Sequence, residues 1–113
     1  MGTSLTSRKT TFEIIHPDDQ TTVLLSQGSL DELVSETISQ HLGECLSRPG
    51  SHIIVDLRNV GFLSSSILGI LIAYFQKAKA LNKEFSLANP QPLIQKIFRL
   101  TRVDQNIKVI ELP

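Results

Sequence analysis

The serine triplet Ser64–Ser66 is the segment of this sequence best placed to take part in chemistry. It precedes an apolar segment that predicts a helix to about Leu81. Hydrolases place a nucleophile at such a turn, but their elbow needs glycines two residues to either side. Ser65 has Leu63 and Ile67 at these positions. No histidine occurs in the C-terminal half to act as a base. We therefore expect a protein that is not an enzyme.

Metal and cofactor chemistry has no support in the residue spacing. His16, His41 and His52 fall on a predicted turn, helix and strand start, and they form no motif of Cys and His residues at the spacing of a metal site. The six glycines are dispersed and form no phosphate-binding loop. The single cysteine, Cys45, is interpreted as a small buried side chain of a predicted helix. We expect neither metal nor cofactor.

Two interpretations of the serine triplet stay open at this point. A serine at a helix start caps the helix, because its hydroxyl accepts a hydrogen bond from an unpaired backbone N–H. One cap needs only one serine. The amino end of a helix also favours an anion, so a phosphorylated serine there would add roughly −1.5 to −2 charges and change what the surface can bind. The second interpretation is a switch.

Charge is balanced overall and uneven along the chain. Eleven basic and eleven acidic residues cancel, which gives no reason to expect direct nucleic-acid binding. Residues 11–46 hold seven acidic residues and no Lys or Arg, whereas residues 76–108 hold seven basic residues and two acidic ones. This asymmetry indicates either a dipolar molecule that steers a charged partner or two solvated helix faces of opposite sign.

The periodicity of apolar residues predicts the order β-β-α-β-α-β-α-β. The predicted strands are Thr11–Ile15, Thr21–Ser26, Ser51–Leu57, Lys83–Ala88 and Ile107–Leu112, and the helices run from Asp31 to about Leu46, from Ser64 to about Leu81, and after Asn89-Pro90-Gln91-Pro92. This order predicts a single α/β domain, with a four- to five-stranded, mixed, mostly parallel sheet and three to four helices packed on it. Residues 1–10 are expected to form a flexible N-terminus, and residues 11–113 the domain.

Membrane insertion is not expected. No apolar run approaches the roughly 20 residues that span a bilayer, and no basic-then-apolar leader opens the chain. We therefore expect a cytoplasmic protein.

Two segments together resemble a known family. Phe62–Leu71, which follows the apolar strand Ile53–Leu57, is similar to the STAS domain, in particular to the bacterial anti-sigma factor antagonists. Upstream, Gly28-Ser29-Leu30-Asp31 is similar to the Gly-x-Leu-Asp turn of that family into its first helix. The resemblance spans about residues 11–110 and implies a STAS-like domain over residues 11–113.

The resemblance implies a function in transcription regulation by partner switching. The partner is an anti-sigma factor that is also a serine kinase of ATPase fold, and a phosphatase is a further partner. The unmodified antagonist binds the kinase and frees the sigma factor, and phosphorylation ends that binding. The resemblance further implies a monomer or weak dimer.

The same resemblance assigns site residues. Ser65 is the implied phosphoacceptor, with Ser66 and Ser64 as secondary acceptors. The implied partner-binding residues are Asp31, Ser64, Ser65, Ser66, Ile67 and Leu68.

Two departures from the family pattern leave an alternative open. Ser64 stands where the family has Asp, and Ile67 stands where it has Gly. The first removes a charge beside the acceptor, and the second adds a bulky side chain where the family leaves the backbone bare. The alternative is a constitutive STAS subunit of a larger assembly, such as a lipid-transport ABC complex or a stress-signalling scaffold, that is not phosphorylated.

Overall fold

The strands form one sheet whose order follows the chain. The computed structural model describes residues 10–113. The strands are β1 (Thr11–Asp18), β2 (Thr21–Leu30), β3 (His52–Leu63), β4 (Glu84–Ala88) and β5 (Lys108–Ile110). β1 pairs antiparallel with β2, and all other neighbours are parallel. The sheet is therefore mixed and mostly parallel, as the sequence predicts.

Helices connect the parallel strands. Within the described residues they are α1 (Ser35–Ser47), α2 (Ser65–Ala80) and α3 (Pro92–Leu100), with single 3₁₀ turns at Glu32–Val34 and Val103–Gln105. A helical crossover is required between neighbouring parallel strands, because a tight turn cannot join them. The predicted single α/β domain is confirmed, with five strands and three helices.

β2 and β3 extend beyond the predicted ends at Ser26 and Leu57, as far as Leu30 and Leu63. Their register shifts twice, between Leu25 and Gln27 and between Gly28 and Ser29. Gly28 has a φ of 104°, which an L side chain rarely adopts. Such register shifts break the alternation of apolar and polar residues from which strands are predicted, so the sequence pattern does not indicate these two extensions.

The hairpin turn also lies later than predicted. β1 continues to Asp18, and the turn occupies Asp19 and Gln20 rather than starting at His16. The Asp18 carboxylate accepts a hydrogen bond from the Gln20 backbone N–H at 2.9 Å, and this bond lowers the pKa of Asp18.

The main core lies between one face of the sheet and all three described helices. Its members are apolar side chains from both layers, among them Leu24, Ile38, Leu42, Val55, Leu57, Ile67, Leu71, Leu87, Ile94 and Phe98. Burying these residues supplies the hydrophobic free energy that holds the helices on the sheet.

The opposite face of the sheet carries a smaller cluster. Val23, Ile54 and Ala88 are buried there, and Leu112 packs against them. No helix of the described residues contributes to this cluster. Ile53 and Val55 are buried in the main core and Ile54 in this cluster, so both faces of β3 are covered, as a continuous apolar run indicates. On this face Ile54 is buried by side chains of neighbouring strands and by the segment after β5.

Two leucines within the predicted helices lie outside the apolar stripes that the structure buries. Leu33 is 89% exposed because it lies in the 3₁₀ turn before α1, where three residues per turn rotate it out of the stripe. Leu93 is 60% exposed, since α3 buries the narrower stripe of Ile94 and Phe98.

The predicted flexible N-terminus lies outside the described residues except for Thr10. The Thr10 hydroxyl donates a hydrogen bond to the Ser29 carbonyl at 2.8 Å. None of the helices in residues 10–113 combines the length and apolar character needed to cross a membrane.

The helix–sheet core can be tested by truncating its large side chains. We expect Leu71→Ala and Phe98→Ala each to lower the free energy of unfolding by about 2–5 kcal/mol, because both side chains are fully buried. Leu100→Ala is the control, since Leu100 is 74% exposed and should change it by less than about 0.5 kcal/mol. Urea unfolding measures all three. Equal effects for Leu71 and Leu100 would contradict this core.

Candidate functional site

Ser64 is the capping residue of the serine triplet. Its backbone is extended (φ −82°, ψ 166°), and its hydroxyl oxygen accepts a hydrogen bond from the Ile67 N–H at 3.2 Å. Its carbonyl accepts the first α-helical bond, from the Leu68 N–H at 3.0 Å. The cap interpretation therefore holds for Ser64, which leaves the other two serines unexplained by capping.

Ser65 and Ser66 are exposed in the first turn of α2. Each helical residue turns by about 100°, so Ser65 lies nearly opposite Ile67, two positions later. Ile67 is fully buried, and its burial turns Ser65 toward solvent. Within residues 10–113, neither the Ser65 nor the Ser66 hydroxyl has a hydrogen-bond partner. Both hydroxyls are therefore available to an external group.

The electrostatics of α2 favour an anion at this end. Its first turn contains no acidic residue, and its last turn contains Lys77 and Lys79. The backbone N–H groups of the first turn point out of the helix, and the Ser64 side chain satisfies that of Ile67. A phosphate on Ser65 would lie at the positive end of the helix dipole.

Asp31 lies beside the serine triplet. Leu30 and Leu63 are paired at the ends of β2 and β3, and the Ser64 N–H donates to the Leu30 carbonyl at 2.9 Å. The residues that follow these two strands are therefore neighbours at the carboxyl ends of the parallel strands. The Asp31 carboxylate also accepts a hydrogen bond from the Leu33 N–H at 3.0 Å, which starts the 3₁₀ turn. The structure thus brings together Asp31 and the three serines.

Ile67 and Leu68 do not belong to this surface. Ile67 is fully buried and Leu68 is 8% exposed, and both pack in the main core. The expectation that their side chains contact a partner is corrected, because the first turn of α2 faces the sheet at these two positions. The same burial means that Ile67 adds no bulk where a partner would approach.

Sequence reasoning missed four exposed residues around the serines. Leu33 and Phe62 are exposed apolar side chains, 89% and 49% accessible, next to Asp31 and near Ser64 in the chain. Gly69 and Ala73 continue the exposed face of α2 one and two turns beyond the serines. We call the set Asp31, Leu33, Phe62, Ser64, Ser65, Ser66, Gly69 and Ala73 the serine surface. The helical spacing of Ser66, Gly69 and Ala73 could have identified its small-residue part.

The histidines and the cysteine are separate from this surface. His16 Nδ1 lies 3.3 Å from the Thr22 hydroxyl, and His52 Nε2 lies 2.9 Å from the Ser86 hydroxyl. The His41 ring packs against the Phe12 ring, with centroids 5.1 Å apart and planes inclined by 41°. Burial raises the pKa of the Cys45 thiol to about 11, so the thiol stays protonated and unreactive near neutral pH.

The capping function of Ser64 can be measured. We expect Ser64→Ala to lower the free energy of unfolding by about 1 kcal/mol, because the Ile67 N–H loses its acceptor. Ser66 lies two residues after Ser64 and makes no capping hydrogen bond, so Ser66→Ala should change the free energy of unfolding by less than about 0.5 kcal/mol. Chemical denaturation compares the two variants, and equal losses would argue against Ser64 as the cap.

Comparison with known sequences identifies a family. The STAS domain family model matches residues 13–111. A STAS-domain containing protein of Pseudomonas aeruginosa (strain UCBPP-PA14) is 39% identical over 56 residues, which cover 50% of this chain and 55% of that protein. The alignment thus spans about half the length of that relative.

Solved structures share the fold. An anti-sigma factor antagonist from Mycobacterium paratuberculosis superposes with a TM-score of 0.81 at 22% identity, covering 90% of this chain and 86% of that one. The anti-sigma factor antagonist SpoIIAA in its unphosphorylated form gives a TM-score of 0.78 at 20% identity, covering 91% and 89%. The phosphorylated form of SpoIIAA from Bacillus gives 0.73 at 20% identity, covering 91% and 92%. Because the family match extends over nearly the whole described chain, this protein belongs to the STAS domain family.

Proposed function

We propose that this protein is an anti-sigma factor antagonist. Its serine surface docks to an anti-sigma factor that is also a serine kinase of ATPase fold, and phosphorylation of Ser65 ends the docking. The family membership supports this function, as do similar structures that are themselves anti-sigma factor antagonists. SpoIIAA has been solved in both unphosphorylated and phosphorylated forms, which fits a switch by phosphorylation on this fold.

One observation carries the proposal. Ser65 presents a hydroxyl that is exposed, without a partner within residues 10–113, at the first residue of α2. Because Ser64 already caps the helix, modification of Ser65 would cost the fold no hydrogen bond. The Ser65 oxygen would attack the γ-phosphorus of ATP held by the partner. ADP would leave, and the hydroxyl proton would pass to a base of the partner.

The physical basis of the switch is a difference between folding and docking. A phosphate at the amino end of α2 is tolerated internally, because the helix dipole favours an anion there. A docked partner would cover that phosphate and the exposed side chains of Leu33 and Phe62, and covering a doubly charged group without a matching cation is costly. The neighbouring Asp31 carboxylate adds a further negative charge to those of the phosphate, so the phosphorylated surface repels an acidic partner face.

The two departures from the family pattern are compatible with this function. Ile67 is buried, so its side chain does not obstruct the serine surface. Ser64 caps α2, a function that Asp performs equally well. Replacing Asp by Ser therefore keeps the helix start and changes only the charge beside Ser65.

The switch is tested by charge at Ser65. We expect Ser65→Asp to weaken binding to the cognate kinase-type anti-sigma factor by about tenfold or more, equivalent to about 1.4 kcal/mol, whereas Ser65→Ala keeps wild-type affinity. With the partner and ATP, intact-mass analysis should show one added phosphoryl group on the wild type and none on Ser65→Ala. Titration calorimetry gives the affinities.

Ser51→Asp provides the matched control. Ser51 is exposed just before β3, at the amino end of this strand and so at the opposite end from the serine surface. The same added charge at Ser51 should therefore leave the affinity unchanged. If Ser65→Asp and Ser65→Ala both bind like the wild type, the switch is refuted. Copurification with a transporter ATPase, without phosphate on the protein, would instead support the constitutive subunit.

The docking surface itself is tested at Gly69. Apart from its own helix, a Cβ at Gly69 would meet no atom within 4 Å. We expect Gly69→Gln to raise the free energy of unfolding by about 0.5 kcal/mol, since Gln is the better helix former. The same variant should weaken partner binding, because the new side chain projects from the serine surface. Ala80→Gln, at the far end of α2, is the control and should leave binding unchanged. Unimpaired binding by Gly69→Gln would exclude this face of α2 from the interface.

A further inference from the structure

A cleft separates the carboxyl half of α2 from the segment that connects α3 to β5. Its volume is about 300 Å³. Its apolar lining comes from Ile72 and Phe75 of α2 and from Val103 and Ile107 of the connecting segment. Val103 and Ile107 are buried, and all four side chains belong to or pack against the main core. The cleft therefore has a fixed apolar floor rather than a wall of mobile surface side chains.

The polar lining of this cleft includes cations and no carboxylate. Lys79 and Arg102 line it, and no Asp or Glu does. The ion pairs among the described residues involve Arg48, His52 and Arg58 and leave both of these cations unpaired. Asp104, in the adjacent 3₁₀ turn, is exposed and does not line the cleft. The excess of basic residues in the C-terminal half thus has a local consequence here.

Arg102 occupies a position that disfavours it. Its φ is 63°, in the left-handed region, and it follows the last residues of α3, where proteins prefer Gly or Asn. Its backbone N–H donates to the Arg99 carbonyl at 3.2 Å, and its carbonyl accepts from the Gln105 N–H at 3.2 Å. Both bonds are made by backbone atoms, so a glycine would make them with less strain. The backbone therefore gives no reason for an arginine, whereas the cleft does.

We propose that this cleft binds a small amphipathic carboxylate. The apolar part of the ligand lies on the floor of Ile72, Phe75, Val103 and Ile107, and its carboxylate lies between Lys79 and Arg102. The planar guanidinium of arginine matches a carboxylate with two parallel hydrogen bonds, and lysine adds a second positive charge. A volume of about 300 Å³ is at the lower end of the range for ligand sites, which indicates a short ligand.

This site is distinct from the proposed docking surface. Ser65 and Phe75 are ten residues apart on α2, which corresponds to about 15 Å along the helix axis. Lys79 lies a further turn away. The carboxylate site therefore does not depend on the proposed antagonist function, and the two can fail separately.

Octanoate is the probe for this site, with octanol and octylamine as uncharged and cationic analogues of equal length. Titration of the isotope-labelled full chain with octanoate should shift the backbone amide resonances of residues 72–79 and 101–107. Octanol should bind at least tenfold more weakly, and octylamine should cause no saturable shift. Equal binding of octanol, shifts confined to other parts of the molecule, or no shift with millimolar octanoate would each overturn the proposal.

Four variants separate the cleft from general surface charge. Lys79→Gln and Arg102→Gly should each weaken octanoate binding at least tenfold. Lys77→Gln and Arg99→Gln remove the same charges outside the cleft and should change the octanoate affinity less than twofold. The Lys77 Nζ lies over the Tyr74 ring, 4.4 Å from its centroid.

Stability provides a second readout at Arg102. Its replacement by glycine should leave the thermal unfolding midpoint equal to or above that of the wild type, because the left-handed backbone is relaxed. A lower midpoint would show that Arg102 is retained for stability, which would overturn the argument from its backbone position. Normal octanoate binding by Lys79→Gln would overturn the proposal itself.

Discussion

The burial of Ile67 and Leu71 beneath α2 is the constraint on which the rest of the site depends. Both side chains are fully buried between the helix and the sheet. A helix fixed on one side by such contacts cannot rotate about its axis without exposing them, and the hydrophobic free energy opposes that rotation. Because Ser65 lies nearly opposite Ile67, the core holds the Ser65 hydroxyl in solvent. The same contacts that stabilise the fold therefore present the serine surface.

The carboxyl ends of β2 and β3 supply the second half of the serine surface. Parallel pairing of β2 with β3 places Leu30 beside Leu63, and the hydrogen bond from the Ser64 N–H to the Leu30 carbonyl at 2.9 Å ties the two strand ends together. Gly28 permits the register shift that lets β2 reach this point. Asp31 and the serine triplet are distant in the chain and become neighbours only through this pairing. Carboxyl ends of parallel strands commonly hold functional residues for this reason.

α2 connects two regions of different chemistry. Its amino end carries the capping Ser64, the exposed hydroxyls of Ser65 and Ser66 and the positive end of the helix dipole, and small exposed residues continue from it along one face. Its carboxyl half carries Lys79 and contributes Ile72 and Phe75 to the apolar cleft. One side of the helix is buried along its length, by Ile67 and Leu71 near the start and by Ala78 near the end. A single rigid element thus supports both regions without requiring that they act together.

The α/β architecture, the element order and the serine triplet at a helix start could all be predicted from local patterns, because periodicity, turn residues and caps act over a few neighbouring positions. Which of these residues face solvent depends on how the helices pack on the sheet. Leu33 lies in a 3₁₀ turn and is exposed, whereas Ile67 is buried although it adjoins the serines. Tertiary structure also placed all three described helices on one face of the sheet and brought Asp31 to Ser64. These outcomes depend on pairing and packing between distant segments, which no local pattern encodes.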